Sequence, residues 1–276
     1  MWTFQQGRRN IRCTIEAVKM NRIRKLFAGK KNNILSVFYT AGFPHLDDTV
    51  CIGEALEAAG VDLIEIGIPF SDPIADGPVI QNSNKQALDN GMHVALLLEQ
   101  VAVLRSKVKM PIVLMGYVNP LMQFGMEVFC KQAALAGVDG LIIPDLPLAV
   151  YQSQYQAIFE AHGLCNILLI APTTSEERIR KIDGATEGFI YAVSASSTTG
   201  ARKSFVEGQI HYFDRINKMG LKSPLLIGFG ISNAATFGTA CEYASGAIVG
   251  SAFVELLKHS NRLEQDIHQF VKDIRG

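Results

Sequence analysis

The sequence predicts an α/β fold, an eight-stranded parallel sheet closed into a single-domain (β/α)8, or TIM, barrel, and three observations carry that prediction. From Ile34 onward, short apolar runs alternate with longer segments of helical periodicity. There are eight such runs, the number that closes a barrel. The chain has 276 residues, close to the ~250 that such a barrel needs. A doubly wound open sheet fits the same alternation, and periodicity alone does not separate the two.

In chain order, residues 1–19 stand apart. They carry Arg8, Arg9, Arg12 and Lys19 against the single acid Glu16, and they lack the apolar core of a secretory signal. They read as an N-terminal extension, disordered or not native, ahead of a catalytic domain spanning 20–276. An organellar transit peptide is the other reading. Asn21 is placed to N-cap a short helix from Arg22 to Phe27. The eight strand-like runs are Ile34–Tyr39, Leu63–Gly67, Ile112–Tyr117, Gly140–Ile143, Ile167–Ile170, Phe189–Val193, Leu225–Gly228 and Ala247–Val249. Helical patterns lie between them, among them Thr49–Ala59, Ala95–Ser106, Glu127–Ala136 and Gln152–Ala161. Gly60, Gly137 and Gly163 each stand where such a helix would end.

Composition narrows the function. Twenty-six basic residues balance 26 acidic ones, which gives no reason to expect nucleic acid or an anionic membrane as a partner. No uncharged apolar run approaches the ~18 residues of a membrane span. The five cysteines are scattered, odd in number and free of C-x-x-C pairs. They form neither a disulfide framework nor a zinc site, and they suit a reducing cytoplasm.

The chemistry concentrates after the second run. Leu63–Ile68 is apolar apart from Glu65. A carboxylate in such surroundings is costly, so burial there raises its pKa unless a partner compensates. A second carboxylate, Asp76, arrives on a loop stiffened by Pro69, Pro73 and Pro78. One shielded carboxyl beside one fixed carboxylate is an acid–base pair in outline. A strand-end Glu paired with a core Arg, and an Asp capping a turn, would look the same in sequence.

In barrels the function sits at the carboxyl ends of the strands. There this chain places Gly228-Phe229-Gly230 after the seventh run and Gly250-Ser251 after the eighth, with Gly200 after the sixth. Glycines at those ends suit phosphate binding through backbone N–H groups and a helix N-terminus, although tight turns use them too. Phe38, Tyr117 and Tyr191 fall near strand ends and suit either an apolar pocket or ordinary core. No lysine lies in a predicted strand, which removes a Schiff-base nucleophile. The six histidines are dispersed, so no metal is expected, and there is no G-x-S-x-G, H-E-x-x-H or P-loop. Acid–base chemistry on a small phosphorylated molecule remains.

These motifs can also be read as a family signature. Pro69-Phe70-Ser71-Asp72-Pro73-Ile74-Ala75-Asp76-Gly77-Pro78-Val79-Ile80-Gln81 resembles the signature of the tryptophan synthase alpha subunit. Thr40-Ala41-Gly42-Phe43-Pro44, Met115-Gly116-Tyr117-Val118-Asn119-Pro120, Asp145-Leu146-Pro147, Gly228-Phe229-Gly230-Ile231-Ser232 and Gly250-Ser251-Ala252 support it. The likeness runs from Met20 to the C-terminal region. It implies a barrel that cleaves indole-3-glycerol phosphate to indole and glyceraldehyde 3-phosphate for tryptophan biosynthesis. It implies no cofactor in this chain, and a beta-subunit partner that holds pyridoxal phosphate, joined as an alpha2-beta2 heterotetramer.

By the same resemblance Glu65 is the general acid–base, and Asp76 contacts the indole N–H. Phe38, Ile80 and Tyr191 belong to the pocket. Gly200, Gly230, Gly250 and Ser251 bind phosphate. Ser71-Asp72-Pro73 and the helix after Asn119-Pro120 face the partner. One departure concerns Ser197-Thr198-Thr199-Gly200, where the family commonly has Gly-Val-Thr-Gly in a mobile lid; losing the first glycine narrows the loop's conformational range. A free-standing lyase, another phosphate-binding barrel isomerase, and a decayed barrel kept as an activating partner are the alternatives.

Overall fold

The computed structural model describes residues 21–194 and 205–276. The expectations for the extension at 1–19, for Ser197 and for Gly200 lie outside the described residues. Eight parallel strands follow one another in chain order and close: β1 (Ile34–Thr40), β2 (Leu63–Gly67), β3 (Ile112–Met115), β4 (Gly140–Ile142), β5 (Cys165–Ile170), β6 (Ile190–Val193), β7 (Leu225–Gly228) and β8 (Gly246–Val249). Closure comes from β8 pairing back onto β1, with Ile34 opposite Gly246 and Val37 opposite Val249. That pairing decides for the barrel against the open sheet.

The strands read as unbroken apolar runs because both of their faces are buried. One alternate set, including Ile34, Leu63, Val113, Ile142, Ile167, Tyr191, Leu226 and Ile248, packs inside the barrel. The other set, including Leu35, Val37, Ile64, Ile66, Leu114, Ile190, Ile227 and Val249, packs against the surrounding helices. Gly137 closes the helix Met126–Ala136 in the left-handed conformation at φ 89°, as its place in the sequence suggests.

One end of each of β1, β4, β6 and β8 shifts by one residue from the sequence expectation, and three further differences are larger. β3 stops at Met115, so Tyr117 is not a strand residue; it precedes the helix Val118–Phe124. Just past the strand, Gly116 still donates to the Ile142 carbonyl at 3.0 Å, and Ile68 packs so closely on it that a Cβ there would come 2.8 Å from the Ile68 Cβ. Asn119 and Pro120 therefore lie inside a helix rather than ahead of one. Pro78 is not only a loop brace. It opens the helix Pro78–Asp89, where its missing N–H costs nothing. Finally, β5 starts at Cys165, earlier than the apolar run at Ile167, because Cys165 and Asn166 pair with β4.

The amino end of the barrel is sealed. Asn21 Oδ1 accepts from the Ile23 N–H at 2.9 Å and starts the helix Arg22–Gly29. Ile23 and Phe27 of that helix join the interior cluster, and Phe27 meets Phe189 at 5.7 Å between ring centroids. Charged side chains tie this floor together. Asp139 takes Arg22 at 3.0 Å and Arg105 at 3.3 Å and accepts from the Ile112 N–H. Asp62 takes Lys30 at 2.7 Å and Arg275 at 2.9 Å. The carboxyl ends of the strands are left to carry the polar loops. Among the described residues no helix is long and apolar enough to cross a membrane.

Candidate active site

β2 carries Glu65 into the barrel on the same face as Leu63, and the parallel register sets it beside Phe38 of β1. Its side chain is fully buried. Oε1 accepts a hydrogen bond from Ser36 Oγ at 2.7 Å, whereas Oε2 finds no partner among the described residues. Burial raises the carboxyl pKa and the Ser36 bond lowers it; burial dominates and the value reaches about 8. At neutral pH the site therefore holds a carboxylic acid that can both give and recover a proton.

Asp76 lies on the loop between β2 and the helix Pro78–Asp89. The loop is held by more than its prolines. Tyr117 Oη accepts from the Ala75 N–H at 3.0 Å and donates to Asp76 Oδ2 at 3.0 Å. Gln81 donates to the Asp76 carbonyl at 2.9 Å. The Tyr117 ring packs on Phe70 at 5.2 Å. Burial lifts the Asp76 pKa above its usual value, and the Tyr117 bond offsets part of the rise. The phenol of Tyr117 is thus the second support of this loop, a role that its place near a strand end did not disclose.

Tyr191 of β6 projects inside the barrel and packs edge-on to Phe229 at 6.3 Å. Burial, followed by the nearby charges of Glu65 and Asp76, keeps it a neutral phenol. Two glycines make room for the aromatic walls. A Cβ on Gly67 would strike Phe38 at 2.6 Å, and one on Gly228 would overlap the Tyr191 ring. Ile80 is buried in the first turn after the Asp76 loop, in the same apolar cluster as Phe38.

After β7 the backbone turns through Phe229 at φ 69° and Gly230 at φ 77°. The first value is unfavourable for a non-glycine residue. Ser194 holds the strained turn, its Oγ donating to the Phe229 carbonyl at 2.6 Å, and Gln209 donates to the Ser194 carbonyl at 3.1 Å. After β8, Gly250 precedes the helix Ser251–His259, so Ser251 is the first residue of that helix. Gly230, Gly250 and Ser251 thus come to the carboxyl ends of neighbouring strands, with a helix N-terminus among them. Sequence reasoning missed the roles of Ser36, Ser194 and Gln209. Ser36 left a signal as a polar residue inside an otherwise apolar run, and Ser194 as the start of the polar segment after the sixth run.

Similar proteins share this arrangement of the chain. A family model described as tryptophan synthase alpha chain matches residues 25–275. The tryptophan synthase alpha chain of Parabacteroides distasonis is 57% identical over 239 residues, covering 87% of this chain and 93% of that protein. The one from Flavobacterium johnsoniae is 54% identical over 257 residues, 93% of this chain and 100% of that one. Among solved structures, tryptophan synthase subunit alpha from Legionella pneumophila superposes with a TM-score of 0.84 at 34% identity, covering 93% of this chain and 98% of that chain. The barrel, its polar mouth and these likenesses agree, and the chain belongs to the tryptophan synthase alpha chain family.

Proposed function

We propose that Glu65 and Asp76 carry out the lyase reaction of this chain, the cleavage of indole-3-glycerol phosphate to indole and glyceraldehyde 3-phosphate. The observation that carries the assignment is the fully buried Glu65, protonated at neutral pH, on the strand whose following loop fixes Asp76. Glu65 gives its proton to the ring carbon that bears the side chain. The ring nitrogen becomes positive, and the Asp76 carboxylate stabilises it. Glu65, now a carboxylate, takes the proton from the neighbouring hydroxyl. The carbon–carbon bond breaks to leave an aldehyde and neutral indole, and Glu65 is again the acid. One proton leaves the carboxyl and one returns, so the enzyme ends as it began.

Phe38, Ile80, Tyr117 and Tyr191 form the walls around the ring, with Tyr117 also bracing Asp76. Gly230, Gly250 and Ser251 take the phosphate through backbone N–H groups and the helix that starts at Ser251, and Gly200 belongs to the same set. The chain itself needs no cofactor: Glu65 accounts for both proton transfers, and Asp76 for the charge that develops between them. Its partner is a beta subunit, which holds pyridoxal phosphate, in an alpha2-beta2 assembly in the cytoplasm; the family membership supports this reading. Indole release from indole-3-glycerol phosphate tests it, with and without a beta subunit. Glu65→Gln is expected to lose about 10³-fold in kcat, and wild-type turnover in that variant would overturn the acid–base role. Failure of the wild type to bind or respond to a beta subunit would overturn the assembly.

A further inference from the structure

Ser36 is the unusual residue of β1. The strand is buried at every position, and Ser36 itself has no exposed surface. A hydroxyl placed there is unfavourable unless it is hydrogen-bonded. Its bond goes to Glu65 Oε1 at 2.7 Å, across the β1–β2 pairing and one step deeper than the Phe38–Glu65 register pair. The two carboxyl oxygens are thereby made different. Oε1 is occupied by a donor, and Oε2 is buried with no partner among the described residues.

We propose that Ser36 is a positioning residue for the lyase reaction: it holds Oε1 as a hydrogen-bond acceptor and so makes Oε2 the oxygen that gives up and recovers the proton. The inference rests on Glu65 being the acid–base. In a neutral carboxyl the carbonyl-type oxygen is the better acceptor, so a donor fixed on Oε1 selects the form protonated on Oε2. The same bond orients the carboxyl and limits how far burial lifts its pKa. The surroundings offer no substitute. β3 contributes only Val113 and Met115 to this side of the barrel. Tyr191 of β6 is the titratable group close enough to feel the charge of Glu65, and it also feels that of Asp76 on the loop after β2. Asp76 is already bonded to Tyr117.

The test compares Ser36→Ala, Ser36→Thr and Ser36→Cys with the wild type in the full chain, using indole-3-glycerol phosphate and folded protein checked by thermal melting. Ser36→Ala is expected to lower kcat about tenfold, the rate equivalent of one ordinary hydrogen bond, while leaving KM little changed. The alkaline limb of its pH–rate profile moves up by roughly one pH unit, because the lost bond favoured the ionised carboxyl. Infrared difference spectra against Glu65→Gln should place the carboxyl C=O band of the Ala variant at higher frequency, as for a carbonyl released from its donor. Ser36→Thr keeps the hydroxyl and restores both readouts. Ser36→Cys, a poor donor of similar size, falls between and serves if the Ala variant does not fold. An unchanged profile and band in folded Ser36→Ala or Ser36→Cys, with Glu65→Gln inactive, would overturn the role of Ser36 alone. Turnover in Glu65→Gln would instead overturn the acid–base assignment on which it rests.

Discussion

Glu65 titrates near 4.5 in an unfolded chain and near 8 in the barrel. Between those values the native state keeps a proton that the unfolded state releases, so stability falls as pH rises from about 4.5 to 8. The site is therefore held at a cost to the fold, and Glu65→Gln, which has no proton to lose, removes that cost. Its expected gain is on the order of 3 kcal/mol at pH 7 and vanishes below about pH 4.5, measured by denaturant melts across pH. Activity runs on the same group. The acid form of Glu65 and the carboxylate of Asp76 are needed together, so the lyase rate should follow a bell. Its alkaline limb lies near pH 8, from Glu65, and its acid limb lies above the usual aspartate range, from Asp76. Asp76→Asn should abolish the acid limb and lower kcat about 10²-fold, the loss expected when an electrostatic stabiliser is removed. A flat profile across this range in the wild type would contradict the pair.

At the scale of elements, the loop after β2 is rigid because three prolines and one phenol restrain it. Tyr117→Phe removes the acceptor of the Ala75 N–H and the donor to Asp76 in a single change. Its expected effect is about a tenfold loss in kcat, with the acid limb moved upward because the bond that favoured the Asp76 carboxylate is gone. The same measurements on Phe70→Leu, which touches only the ring, should show much less. The strands themselves were legible in the sequence, because strands buried on both faces cannot hide their apolar runs. Glu65 was legible for the opposite reason, as a charge where such a run allows none. The support of the site was harder to read. Ser36 is small enough to pass within an apolar run, and Tyr117 reaches Asp76 across 41 residues of sequence. The packing of Ile68 on Gly116, just past the ends of β2 and β3, is likewise a contact that periodicity does not register.

Across the whole molecule the two ends of the barrel hold different kinds of residue. The floor is built from Ile23, Phe27 and the Asp139 and Asp62 ion pairs; the mouth holds the loops after β2, β7 and β8. None of the floor's ion pairs could be read from the sequence, since Asp139 meets Arg22 across 117 residues. Phe27→Ala should destabilise the protein by about 3 kcal/mol through lost burial and the cavity left behind. Thermal melting reads that loss, and kcat at a temperature where the variant is folded should stay near the wild-type value. A fall in kcat matching that of Tyr117→Phe would mean that the floor shapes the site. Separation of this kind has a consequence for how such a chain can change over time. Substitutions in the floor change durability and leave the polar mouth in place, so durability can drift without a change in chemistry; the reverse does not hold, because Glu65 burdens the fold. A lineage moving to a hotter habitat can rework its floor and leave its catalysis untouched.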